Sequence, residues 1–136
     1  MRWSDAATEE IAGLNPRLFE KHGWAPAVSR TGDHVDLFAS FRIGSSRAGH
    51  VLRLRYLEDW QAAGRRETFV NPADLAQEGG EWWPRGVAGV NPDHSPPAIC
   101  LHGFWGFHSV LHPGGAPAER PLSAMLRDLQ TQFSRA

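Results

Sequence analysis

The sequence predicts an α+β domain, with helices at its two ends and an antiparallel sheet between them. Two observations carry that expectation. Residues His34 to Ile43 set Val35, Leu37, Ala39, Phe41 and Ile43 on one side, the two-residue alternation of a half-buried strand. From Pro121 onward, Leu122, Met125, Leu126, Leu129 and Phe133 recur at spacings of three and four, the apolar stripe of an amphipathic helix.

The remaining elements follow from local chemistry. Ser4 to Leu14 reads as a turn or first helix with Ile11 and Leu14 on its apolar side, and Pro16 interrupts it. Asn15-Pro16 is itself a helix start, since Asn caps free N–H groups and Pro suits the first helical position; Gly23 ends that segment. Ala27 to Arg30 adds a front strand to the sheet. After His34 to Ile43, the turn residues Ser45 to Gly49 lead into Leu52, Leu54 and Tyr56, which alternate with Arg53 and Arg55 and so form an antiparallel hairpin with the preceding strand. Glu67 to Asn71 supplies a further strand. Gly and Pro then concentrate between Gly79 and Pro121, which reads as a long irregular stretch before the final helix.

At 136 residues the chain corresponds to one domain, 1–136, large enough to bury a sizeable core. With 41% hydrophobic and 21% charged residues mixed along its length, it is globular rather than disordered. A formal net charge of −1 and the lack of a basic run argue against nucleic acid and anionic membrane surfaces as partners. No apolar run approaches the roughly 20 residues that cross a bilayer, and the opening Met-Arg-Trp-Ser-Asp lacks a signal-peptide core, so a cytoplasmic protein is expected. One cysteine cannot form an internal disulfide, and a reducing compartment suits it.

That cysteine, Cys100, lies in the irregular stretch after Pro96 and Pro97, which favour an extended chain. Between Ile99 and Leu101 it has two readings: a small buried hydrophobe, or a nucleophile on an accessible segment. His94, His102, His108 and His112 lie near it, and each is able to shift the thiol's pKa, move a proton or contribute to a metal site. His102 stands first among them, because two residues on it would share a side with Cys100 if the stretch is extended. Asp93 either orients an attacking amine or closes an Asx turn after Pro92. Cys100 with the four histidines also has enough nitrogen and sulfur for a zinc site, although the six-residue step from His94 to Cys100 matches no known zinc spacing. Trp82, Trp83, Phe104, Trp105 and Phe107 crowd the same stretch as core filling or as anchors for a partner's tail.

Several of these segments, taken in order, resemble the ubiquitin-conjugating domain, and in particular its bacterial conjugating-enzyme-like members. Ala98-Ile99-Cys100-Leu101 is similar to the family's Ile-Cys-Leu active-site segment. Leu52 to Leu57, Asp59-Trp60 and Thr68-Phe69-Val70-Asn71-Pro72 are similar to its third strand, Tyr-Pro bend and fourth strand. Trp105 and Pro121-Leu122 are similar to its tryptophan, proline and following helix, here separated by an insertion with Gly114, Gly115 and Pro117. Where the family has His-Pro-Asn this chain has Asn91-Pro92-Asp93-His94, and the family's two prolines after the bend are missing. The resemblance covers about Asn15 to Phe133.

It implies a four-stranded meander and a long active-site stretch carrying a thioester-forming Cys100. The partners it implies are an activating enzyme, a ubiquitin-like protein and a substrate protein amine. Asn91 or a nearby backbone N–H would stabilise the oxyanion, and His102 or Asp93 would help the amine lose its proton. Asn15 to His22 would face the activating enzyme. No cofactor is implied, because adenylation takes place on the activating enzyme. A non-catalytic adaptor of the same fold that binds a ubiquitin-like protein, and a His/Cys zinc domain, are the alternatives.

Overall fold

The computed structural model describes residues 2–15, 27–43, 49–113 and 120–136. Its first element, helix α1 (Trp3–Ala12), buries Ser4, Ala7 and Ile11. Side chains rather than apolar area alone fasten it: Arg30 donates to Ser4 Oγ at 3.1 Å and to Asp5 at 3.0 Å. The helix expected from Asn15-Pro16 to Gly23, the turn expected at Ser45 to Gly49, most of the Asn15 to His22 partner face and the Gly114–Pro117 insertion fall wholly or largely outside the described residues.

Strands β1 (Ala27–Arg30), β2 (Val35–Arg42), β3 (Gly49–Tyr56) and β4 (Arg66–Val70) form one antiparallel sheet in chain order, the expected meander. Its register pairs Leu37 with Leu54 and Leu52 with Phe69. The alternation along β2 therefore coincides with that on β3, and Val35, Leu37, Ala39, Phe41, Leu52, Leu54, Tyr56 and Phe69 are all buried. Helix α3 (Leu122–Arg135) packs on the same face, and its whole stripe of Leu122, Met125, Leu126, Leu129 and Phe133 is buried. Phe133 stacks on Phe41 with ring centroids 5.1 Å apart. The opposite face is polar: Arg55 holds Asp36 through two bonds of 2.8 Å, and Arg53 pairs with Glu78.

Between β3 and β4, where the bend was expected at Asp59-Trp60, the chain makes a short helix, α2 (Trp60–Ala63). It leads to Arg65, a buried cation enclosed by the Glu10 carboxylate, the Tyr56 hydroxyl at 3.2 Å and the Trp60 ring at 5.1 Å. The backbone of Arg65 matters as much as its side chain. Its N–H reaches Gly103 O at 3.4 Å, and its carbonyl accepts from Trp105 N at 2.9 Å, so the residue just before β4 holds the chain just beyond Cys100.

Over 79–113, the described part that precedes the insertion, the Gly- and Pro-rich stretch holds more regular structure than its composition suggests. It contains a 3-10 turn (Gly80–Trp82), a two-stranded hairpin of β5 (Val90–Asn91) and β6 (Ala98–Ile99), and a π-helical turn (Phe107–Leu111). Trp83 and Phe104 belong to the core, at 4% and 0% exposure, while Trp82 packs at its margin. Among the described residues no helix is long and apolar enough to cross a membrane.

Candidate active site

The Cys100 segment is built from the hairpin outward. Ala98 and Ile99 are fully buried, which anchors β6, and the next residue emerges partly exposed. Gly89, at φ +83°, takes a left-handed turn that suits a residue without Cβ, and its carbonyl accepts from Cys100 N at 2.6 Å. Asn91 closes the same turn. Its Nδ2 donates to Gly89 O and to Ala98 O, both at 3.3 Å, so its two N–H bonds hold the hairpin together.

Beyond Cys100 the chain is a turn rather than an extended strand. Phe104 N bonds back to Leu101 O at 3.3 Å, and Gly103 stands at φ +96° with no room for a side chain: a Cβ there would lie 2.6 Å from Met125 Sδ. The premise that put His102 beside the thiol therefore fails. Its ring lies tilted against Phe107, with centroids 4.5 Å apart, at the exposed surface. The imidazole that does reach the thiol is that of His112, whose Nε2 lies 3.7 Å from Cys100 Sγ. A wide i→i+5 turn brings it there, with His112 N donating to Phe107 O at 2.9 Å and the His112 ring 4.7 Å from Phe107.

His108 in the same turn is buried and plays a different part. Gly103 N donates to its Nε2 at 3.0 Å, so that nitrogen carries the lone pair, and in the neutral ring the proton sits on Nδ1. Three histidines thus gather around Phe107 by ring packing, not as a ligand set. Among the described residues no group of three or more His, Cys, Asp and Glu side chains is arranged to hold a metal ion. His94 lies at the surface with Nδ1 3.1 Å from Pro96 O. Asp93 is exposed and engaged by Arg85 through two 2.9 Å bonds, so an approaching amine would compete with a guanidinium for it.

One residue enters the site from the sheet. Glu67 on β4 faces inward, opposite Leu54, and its carboxylate accepts Ile99 N–H at 2.8 Å and Gly106 N–H at 2.9 Å. Burial pushes its carboxyl up to about 7, against the lowering effect of those two N–H groups. No cation among the described residues pairs with it.

Sequence reasoning passed over Glu67 as a strand residue, although a readable signal existed: it shares the phase of Phe69, so if Phe69 is core then Glu67 is a buried acid. His112 was one of four histidines, ranked behind His102. Nothing in its twelve-residue separation from Cys100 announces the wide turn that closes it.

Comparison with family models, with curated proteins and with solved structures found no match.

Proposed function

We propose that the domain is an acyl carrier of the ubiquitin-conjugating type, with Cys100 as its nucleophile and His112 as the group that moves the thiol's proton. The observation that carries this reading is the surface pair itself, a partly exposed Sγ with an imidazole Nε2 at 3.7 Å. A thiol must lose its proton to attack, and a neighbouring imidazole is the usual acceptor near neutral pH. The α+β frame, with its meander before the cysteine and helix after it, agrees with the sequence resemblance.

In the proposed cycle Cys100 transfers its proton to His112, and the thiolate attacks the thioester carbonyl that joins a ubiquitin-like protein's C-terminus to its activating enzyme. The tetrahedral intermediate collapses with loss of the activating enzyme's thiolate, leaving the acyl group on Cys100. A substrate amine then attacks that carbonyl, the C–S bond breaks, an amide forms, and the amine's proton passes to a base or to water. Both N–H groups of Asn91 already bond Gly89 O and Ala98 O, so an oxyanion role for Asn91 requires it to release one of them.

The test is to incubate the chain with a matched activating enzyme, its ubiquitin-like protein and ATP, and to resolve the products without reductant. The expected result is an adduct that thiols remove and that Cys100→Ala lacks. Wild type and Cys100→Ala behaving alike sinks the reading.

A further inference from the structure

We infer that Glu67 is a positioning residue for the thiol site, setting the reach between Cys100 and His112 by holding the backbone on both sides of it. The inference rests on the reading of Cys100 as the nucleophile. Its carboxylate bonds both segments: one oxygen takes Ile99 N–H, one residue before the cysteine, and the other takes Gly106 N–H, at the foot of the π-helical turn that ends at His112. The sheet, the cysteine strand and the histidine turn therefore meet at a single side chain.

The arrangement is costly, and the cost is informative. A carboxylate at 8% exposure with no paired cation gives up most of its hydration, and two neutral N–H donors replace it only in part. Apolar contact alone would seat β4 against β6; Phe69 and Ile99, both fully buried, are already there to do so. What apolar contact does not provide is direction. Two N–H groups converging on one planar carboxylate fix the separation and the angle of the two segments, which a thiol–imidazole contact of 3.7 Å requires. The close fit at Gly106 agrees: a Cβ there would lie 2.7 Å from Ala98 Cβ, so the two backbones approach as far as the absence of a side chain permits.

The consequence is an energetic coupling between Glu67 and His112, residues that do not touch. It is measured by the rate at which iodoacetamide alkylates Cys100 at neutral pH in wild type, Glu67→Gln, His112→Asn and the double variant, with Cys100→Ala as the blank. His112→Asn is expected to slow alkylation about tenfold, since the thiol loses its proton acceptor. Glu67→Gln keeps one acceptor and the side-chain length, and is expected to slow it at least about threefold by letting the contact open. The double variant should then be no slower than His112→Asn alone, because a displaced contact cannot be lost twice.

A merely structural Glu67 predicts otherwise: the two effects multiply, and that outcome overturns the inference. So does alkylation of Glu67→Gln or of His112→Asn at the wild-type rate. Glu67→Asp, which keeps the charge and shortens the reach, runs through the same cycle if Glu67→Gln does not fold. Alkylation needs no activating enzyme, so this result stands apart from the thioester test; the positioning role can fail while Cys100 still carries an acyl group.

Discussion

Among the described residues, Val35 to Val70 is held chiefly by apolar burial, whereas Asn71 to His112 adds to apolar anchors such as Trp83, Ile99 and Phe104 a set of polar bonds, some local and some reaching across long stretches of sequence. In the first region successive inward side chains of β2 and β3 are at or near zero exposure, and α3 lays a continuous stripe over them. In the second, Asn91, His108, Glu67 and the backbone of Arg65 each hold a turn in place. Damage should therefore differ in kind. Losing an apolar contact in the sheet lowers the stability of the whole domain, while losing a polar tie moves the thiol at a smaller global cost.

The largest effect is expected in the sheet region. Phe133→Ala removes a fully buried ring stacked on Phe41, and urea denaturation should show a loss of about 3–5 kcal/mol. A loss below about 1 kcal/mol would mean that α3 does not seal this face.

Next comes the acid that links the two regions. Glu67 is raised by burial from 4.5 to about 7, so over that interval the folded chain keeps a proton that the unfolded chain has released. Its contribution to stability is full below about 4.5 and is lost as the pH rises through 7, the reverse of a salt-bridged carboxylate. The interval corresponds to about 3 kcal/mol. Denaturation midpoints followed across this range should fall with pH in wild type and lose that component in Glu67→Gln. Equal slopes in the two proteins would remove the buried carboxyl from the account.

A smaller cost is expected at the turn after the cysteine. Gly103→Ala forces a Cβ to within 2.6 Å of Met125 Sδ at a φ of +96°, which should cost about 1–3 kcal/mol in thermal denaturation and displace the neighbouring site. The smallest belongs to the surface. Asp93→Ala breaks an exposed pair with Arg85, and the change should stay under about 1 kcal/mol and shrink with added salt.

The same division explains what was legible in the sequence. Val35 to Phe41 and Leu122 to Phe133 announced their elements because burial of one face imposes a period, and the period survives in the residue order. Cys100 was legible as a candidate. His102 was preferred to His112 because an extended chain was assumed, and Gly103 turns the chain at that point through a close approach to Met125 that lies far off in sequence. Asn91, expected to face an oxyanion, instead bonds two carbonyls of its own hairpin. Polar ties, whether local as at Asn91 or 32 residues apart as from Glu67 to Ile99, leave no periodic trace.

The central claim is that residue 100 carries the acyl group, and Cys100→Ser tests it most directly. With the activating enzyme, the ubiquitin-like protein and ATP present, a hydroxyl at that position should trap the acyl group as an oxyester that resists thiols, yields to hydroxide, and maps to residue 100 by peptide mass spectrometry. An adduct that maps elsewhere, or no adduct on either the wild type or the variant while the activating enzyme charges itself, would contradict it.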